Sequence, residues 1–437
     1  MAKRVPSGRR ASHVVIGGGV QGLSAAWRLA ERGADVLVLE KDRIGAGASG
    51  IAGGVVRNYY RSPAVTELIR RSVEIFEADP DGFGFHQVGY LAAVPEEQVE
   101  DLRAIRGQHE AAGYDSELVV GAGAARDYMT WNWPDWRAPV EAVLRESRGG
   151  WADAMQTVRR LAERARAAGA EIAEGVEVTG FDWGGEQPGE GPARAVLTSE
   201  GPIGCEAVVA APGPWIGGLW RMLGGPAEVE VAGSERPRRF VEYWKAQEGQ
   251  FALPGVGLGG RAGIEAPVVH LDQTGGLRSD RDGRELVPGA WGIYFHLGRT
   301  GTGVTGGGLP VLLDEPEMDP YGPENPEHAV EDHFPDFFTS GLAVAFERFR
   351  GRGDEWQTTP AGGIVPHTPD NYPVCDWAAP NAYVIVDSGH SFKMLALGRM
   401  VADDIVDGGN EDLAPYRFAR FAAGETHIAS AGPYPWT

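Results

Sequence analysis

Apolar positions change period along this chain, and the changes mark its elements. Val14, Val15 and Ile16 form a short apolar run that stops on Gly17-Gly18-Gly19. Leu23, Ala25, Ala26, Leu29 and Ala30 then recur at helical spacing as far as Gly33, and Val36 to Leu39 are apolar again. The order is strand, glycine turn, helix, strand. The stretch "GGWADAMQTVRRLAERARAAGAEIAEGVEVTGF" predicts a long amphipathic helix and then a strand ending near Val178. A hairpin-like region follows, and "EAVVAAPGPW" reads as an apolar strand running into a Gly-Pro turn. Alternation in "VVHLD" and "WGIYFHL" predicts further strands. Near the end, Leu395, Leu397, Met400, Val401 and Ile405 predict a helix from Phe392 to Val406, stopped by Gly408-Gly409. Lys393 then falls in its first turn. That end of a helix already carries partial positive charge, so a lysine there implies an anion docked beside it.

The first of these units carries chemistry. Gly17, Gly19 and Gly22 fit G-x-G-x-x-G between the strand and the helix, and Glu40 closes the next strand. Glycines at this spacing let the backbone approach a pyrophosphate, which the helix start stabilises. An acid about twenty residues on reaches a ribose hydroxyl and disfavours a 2′-phosphate. The pattern predicts a bound dinucleotide other than NADP. The loop of small residues from Gly45 to Gly54 suits close packing against a large flat ring, which favours FAD over NAD. A buried strand ending at Gly213 would let the backbone lie against the same cofactor at the carboxyl edge of a parallel sheet.

Composition narrows the classes. The 437 residues are enough for two or three domains. A net charge of −21 argues against nucleic acid and an anionic membrane surface as partners, and suits solubility. Cys205 and Cys375 are the only cysteines, too few for a disulfide framework or zinc cluster, which fits a reducing cytoplasm. Cys205 reads as a small core residue. No stretch is long enough to span a bilayer. Two arginines precede the first apolar run, as in an export signal, but Gly-Gly-Gly and Gln21 interrupt it. We read it as the first strand of a cytoplasmic protein, preceded by a disordered tail of about ten residues. No metal-ligand spacing and no Ser-His-Asp arrangement stands out among the histidines.

Four stretches then carry a resemblance: the dinucleotide loop, "GASGIAGGVVRNYYR", "CEAVVAAPGPWIGGL", and "HTPDNYPVCDW" with "VDSGHSFKMLALGR". The chain resembles the flavin-dependent amine and amino-acid oxidoreductases, the superfamily of D-amino acid oxidase, glycine oxidase and sarcosine oxidase. The likeness is strongest to the sarcosine oxidase and dimethylglycine dehydrogenase branch. It implies an α/β fold with a Rossmann-like FAD-binding domain and a second α+β substrate domain built on an antiparallel sheet. Residues 1–85, 148–222 and 357–437 would form the first, and 86–147 and 223–356 the second. It also implies a set of cofactor contacts: Gly17, Gly19, Gly22, Glu40, Lys41, Ala48, Ser49, Val176 near the adenine, Gly213, Trp215, Gly389 and Lys393. Arg57 and Lys393 would hold a substrate carboxylate above the flavin, with His390 an environment-setting donor beside it. Gly363 and Ile51 stand where relatives attach FAD covalently, so the flavin is expected to be non-covalent. Thr305 stands where sarcosine oxidase has an oxygen-activating lysine; Arg299 or Lys245 could supply that cation instead.

The implied reaction is hydride transfer to FAD from the carbon beside a secondary or tertiary amine bearing a carboxylate. The iminium product hydrolyses, and O2 or another acceptor reoxidises the flavin. A 2-hydroxy-acid or polyol dehydrogenase, or an electron-transfer subunit of a complex, remains open. The protein would be a monomer or homodimer. Trp131, Trp133, Trp136, Trp244, Trp291 and Trp356 could cage an alkylated ammonium, but core packing is the better reading of so many aromatics.

Overall fold

The computed structural model describes residues 8–185, 187–260, 265–298 and 303–434. Two eight-stranded sheets organise them. In the first, Glu171–Glu174, Val36–Glu40, Arg10–Ile16, Gly201–Ala210 and Ala382–Val386 run parallel. Val178–Asp182, Ala195–Thr198 and Val374–Ala379 extend it antiparallel. The central strands are apolar on both faces because both are covered. The Val20–Glu31 helix packs on one face beside Ala154–Ala167 and Leu397–Asp407. Together these make the Rossmann-like unit expected.

The second sheet runs Gln357–His367, Glu242–Ala252, Val304–Leu313, Trp291–Leu297, Val268–Gln273, Tyr90–Val94, Ala142–Glu146, Ser116–Val120. It is mixed, not purely antiparallel: Val268–Gln273 pairs parallel with Tyr90–Val94. The Phe334–Ala345 helix covers one face. Phe337 and Phe338 sit so near that a Cβ at Gly308 would lie 3.0 Å from the first and one at Gly306 would lie 2.8 Å from the second. The tryptophan-rich segment belongs to this core. Trp133 and Trp136 pack on Phe346 and Trp291 on Phe337, while Trp131 is exposed.

Three expectations change. Gln357–His367 pairs along its whole length with Glu242–Ala252, so it joins the second sheet rather than the first. The strand expected to end near Val178 is broken at Gly175, which has φ +77°; Gly175 and Val176 then donate to the Asp42 and Glu40 carbonyls. The helix expected from Phe392 to Val406 is a tight Ser391–Met394 turn followed by Leu397–Asp407. Neighbouring hydroxyls cause that break. Ser72 Oγ takes the Ala396 N–H at 3.0 Å, and Ser24 Oγ donates to the Leu395 carbonyl at 2.8 Å, so both groups are satisfied outside a continuous helix.

Candidate functional site

Two cavities meet where the sheets face each other, and Ala48, Ser49, Asp387 and Ser391 line both. They form one trough.

The first half lies at the carboxyl edge of the parallel strands. Gly17 has φ +109°, and a Cβ there would collide with the Ala211 carbonyl oxygen; one at Gly22 would collide with that of Gly17. Only glycine lets the first turn, the helix and the neighbouring strand approach this closely. Gly19 precedes the Val20–Glu31 helix and supplies no side-chain cap, so the helix start faces the trough. Val20 N–H donates to Ser49 Oγ at 3.2 Å. Glu40 accepts from Gly18 N–H at 2.8 Å and Asp42 N–H at 2.9 Å. Burial pushes its carboxyl above the usual range. Val176 lines the same cavity, and Gly213 and Trp215 form its far wall. Lys41 pairs with Asp319 and lies 4.4 Å above the Trp215 ring, whose Nε1 donates to the same carboxylate at 3.1 Å. Glycines packed too closely for any Cβ, a helix start whose N-cap glycine has no side chain, and an acid at the strand end fit a dinucleotide cofactor.

The second half is walled by the Gly45–Gly54 loop, the second sheet and the Ser391–Met394 turn. Arg57 lies buried among Tyr59, Tyr60 and Tyr90, 5.4–5.7 Å from their ring centres. Its guanidinium donates to the Tyr90 hydroxyl at 2.7 Å and to His270 Nδ1 at 3.3 Å. To accept, Nδ1 must be unprotonated, which puts the His270 proton on Nε2, 2.8 Å from Asp272 Oδ1. The backbone beside Arg57 is pinned too: both oxygens of buried Glu146 accept Asn58 N–H, at 2.8 and 2.9 Å. Lys393 shares the cavity with Arg57. Burial first, and then the Arg57 guanidinium, push its ammonium down to about 7.

Other expected residues are placed differently. His390 does not line the cavity. It is buried behind Gly389, with Nδ1 3.2 Å from the Tyr60 hydroxyl and Nε2 2.9 Å from the Asn371 carbonyl. Burial and then Lys393 hold it well below the usual imidazole range, so it is neutral and occupied at both nitrogens. Thr305 is also off the cavity, buried on its strand opposite Gln250 and His296. Lys245 points away, its ammonium donating to the Ala329 carbonyl at 2.9 Å and to Glu331 at 2.8 Å. Ala246, Gln247 and Glu248 line the cavity, while Lys245 stands before the register shift in the strand and does not. Arg299 lies outside the described residues. Gly363 and Ile51 both line the cavity and face each other, a Cβ at Gly363 lying 3.0 Å from Ile51 Cδ1. Neither carries a nucleophile, which suits a flavin held without a covalent bond.

Sequence reasoning missed Glu248, Tyr294, His367 and Asp387, which line the cavity, and the His270–Asp272 pair behind Arg57. Two titratable residues two apart in an otherwise apolar strand was the available signal for that pair. Among the described residues no helix is long and apolar enough to cross a membrane, and no His/Cys/Asp/Glu group could hold a metal.

The family model described as FAD dependent oxidoreductase matches residues 12–404. Sarcosine oxidase subunit beta of Rhizobium meliloti (strain 1021) is 28% identical over 205 residues, 45% of this chain and 48% of that protein. Gamma-glutamylputrescine oxidoreductase of Escherichia coli (strain K12) is 33% identical over 133 residues, 26% of this chain and 30% of that one. The matches thus span half or less of these relatives. In fold, the chain is similar to the crystal structure of L-proline dehydrogenase from P. horikoshii, with TM-score 0.74 and 23% identity over 96% of this chain and 100% of that one.

Proposed function

Because the chain belongs to the FAD-dependent oxidoreductase family, whose members are enzymes that hold FAD, here non-covalently, we propose that it oxidises the C–N bond of a secondary or tertiary amine bearing a carboxylate. The observation that carries this reading is the convergence of Arg57 and Lys393 on one cavity continuous with the dinucleotide trough. Two cations on one wall would fix a carboxylate, and so the carbon beside it, in one orientation. Orientation of that kind is a large part of such catalysis. FAD, when bound, supplies a two-electron acceptor for the hydride that leaves this carbon. The nitrogen lone pair drives that loss once the bound amine has released its ammonium proton to water, so no base need abstract a proton from carbon. His390, neutral and occupied, acts by supporting Tyr60 beside Arg57. Hydrolysis of the iminium gives a carbonyl compound and an amine. Two relatives, a sarcosine oxidase subunit and a gamma-glutamylputrescine oxidoreductase, support amine chemistry. O2 or another acceptor would take the electrons onward.

Anaerobic mixing of the yellow, FAD-loaded protein with N-methyl and cyclic amino acids tests this. Bleaching of the flavin is expected. Bleaching by 2-hydroxy acids alone would replace the amine with an alcohol as substrate, and bleaching by no small molecule would favour an electron-transfer subunit.

A further inference from the structure

The cavity that holds Arg57 and Lys393 also holds an acid that carboxylate binding leaves unused. Glu248 lies on Glu242–Ala252, within the stretch "EYWKAQEGQF", and lines the cavity. Tyr294 lines it from Trp291–Leu297 and donates its hydroxyl to Glu248. A strand separates the two, and the residue in register with both is Gly307. A Cβ there would lie 2.9 Å from Glu248 Cγ and 3.0 Å from the Tyr294 hydroxyl. Glycine at that point is what lets the tyrosine reach the carboxylate across the intervening strand. On its other side the carboxylate rests on the small-residue loop: a Cβ at Gly53 would lie 2.9 Å from Glu248 Oε2. Glu248 is thus a seated group.

An anion with no positive group would meet repulsion from this wall. A zwitterion would find each end matched. We propose that Glu248, oriented by Tyr294, binds the ammonium of the arriving substrate, so that the cavity selects zwitterionic amino acids over carboxylates that lack an amine, hydroxy acids included. This rests on the reading of Arg57 and Lys393 as the carboxylate site. The selectivity comes from a repulsive element as much as from an attractive one.

Glycine betaine and 3,3-dimethylbutanoate share shape and carboxylate and differ in the charged nitrogen. Each is titrated into the FAD-loaded protein, with binding read from the shift of the flavin absorbance bands. The native protein is expected to bind betaine at least tenfold more tightly. Glu248→Gln should erase that preference without weakening the isostere, Glu248→Asp should keep part of it, and Tyr294→Phe should reduce it. Equal affinity of the native protein for both compounds overturns the proposal, and that comparison needs no variant to fold. A preference retained in Glu248→Gln overturns it as well. If neither compound binds, the carboxylate reading itself fails and this proposal with it.

Discussion

Lys393 shows how burial sets the working charge of the site. Its ammonium is pushed down to about 7 from 10.5, by burial first and by Arg57 second. The sign follows directly. In the ligand-free protein the lysine loses its proton as pH rises through about 7, and a bound carboxylate would pull that value back up. Affinity for a carboxylate is therefore expected to fall above pH 7, with a proton taken up on binding. Between about 7 and 10.5 the unfolded chain holds more protons than the folded one, so this residue's contribution makes the ligand-free protein more stable as pH rises through that window. Lys393→Met should remove the pH dependence of binding. It should also weaken carboxylate ligands by roughly 10–150-fold, the about 1.5–3 kcal/mol of a charged hydrogen bond. FAD content measured from the absorbance ratio should fall far less. Equal loss of ligand and flavin would make the lysine a structural residue.

At the scale of elements, the strand Val268–Gln273 does more than fill a core. It is buried along its length and presents His270 and Asp272 to Arg57 from behind. Asp272 also accepts from Gln98 Nε2 at 2.9 Å, and Gln98 in turn accepts from the Tyr59 hydroxyl at 3.3 Å. The whole chain of bonds holds one tautomer of His270, with Nδ1 free to accept from Arg57. Asp272→Asn leaves a single acceptor oxygen for two donors, His270 Nε2 and Gln98 Nε2, so the tautomer is no longer fixed. The variant is expected to weaken carboxylate ligands by about tenfold, the roughly 1 kcal/mol of a typical buried hydrogen bond plus lost orientation. Its melting temperature should move far less than that of Asp272→Leu, which leaves His270 Nε2 unsatisfied; an equal drop in both would mean the pair is structural only. The strand and the spacing of its two titratable residues were legible beforehand, but their partners were not, because a strand buried on both faces does not say which neighbour a polar residue serves. The βαβ unit was legible, since its glycines, helical period and closing acid all lie within one local stretch. The Leu397–Asp407 helix was legible but its start was not. That start is decided by Ser24 and Ser72, more than 300 residues away along the chain.

For the whole molecule, the site exists only where two units built from interleaved segments meet. This is why family membership could be read from four short motifs while the walls between them could not. The loop after residue 313 makes the point. Its Asp319 reaches back to Lys41 and Trp215 on the rim of the dinucleotide cavity, a contact no local pattern announces. The question is how much this clasp matters. Its partners are 28% and 57% exposed, and exposed ion pairs contribute about 0–1 kcal/mol. Asp319→Asn is therefore expected to weaken FAD by no more than about fivefold, and only at low ionic strength. In 1 M salt, where charges are screened beyond about 3 Å, the two proteins should release FAD at the same rate. Flavin fluorescence after dilution measures this. A tenfold or larger effect that survives salt would mean that the clasp acts as a lid over the cofactor, with the indole and the loop moving together, and not as a surface pair.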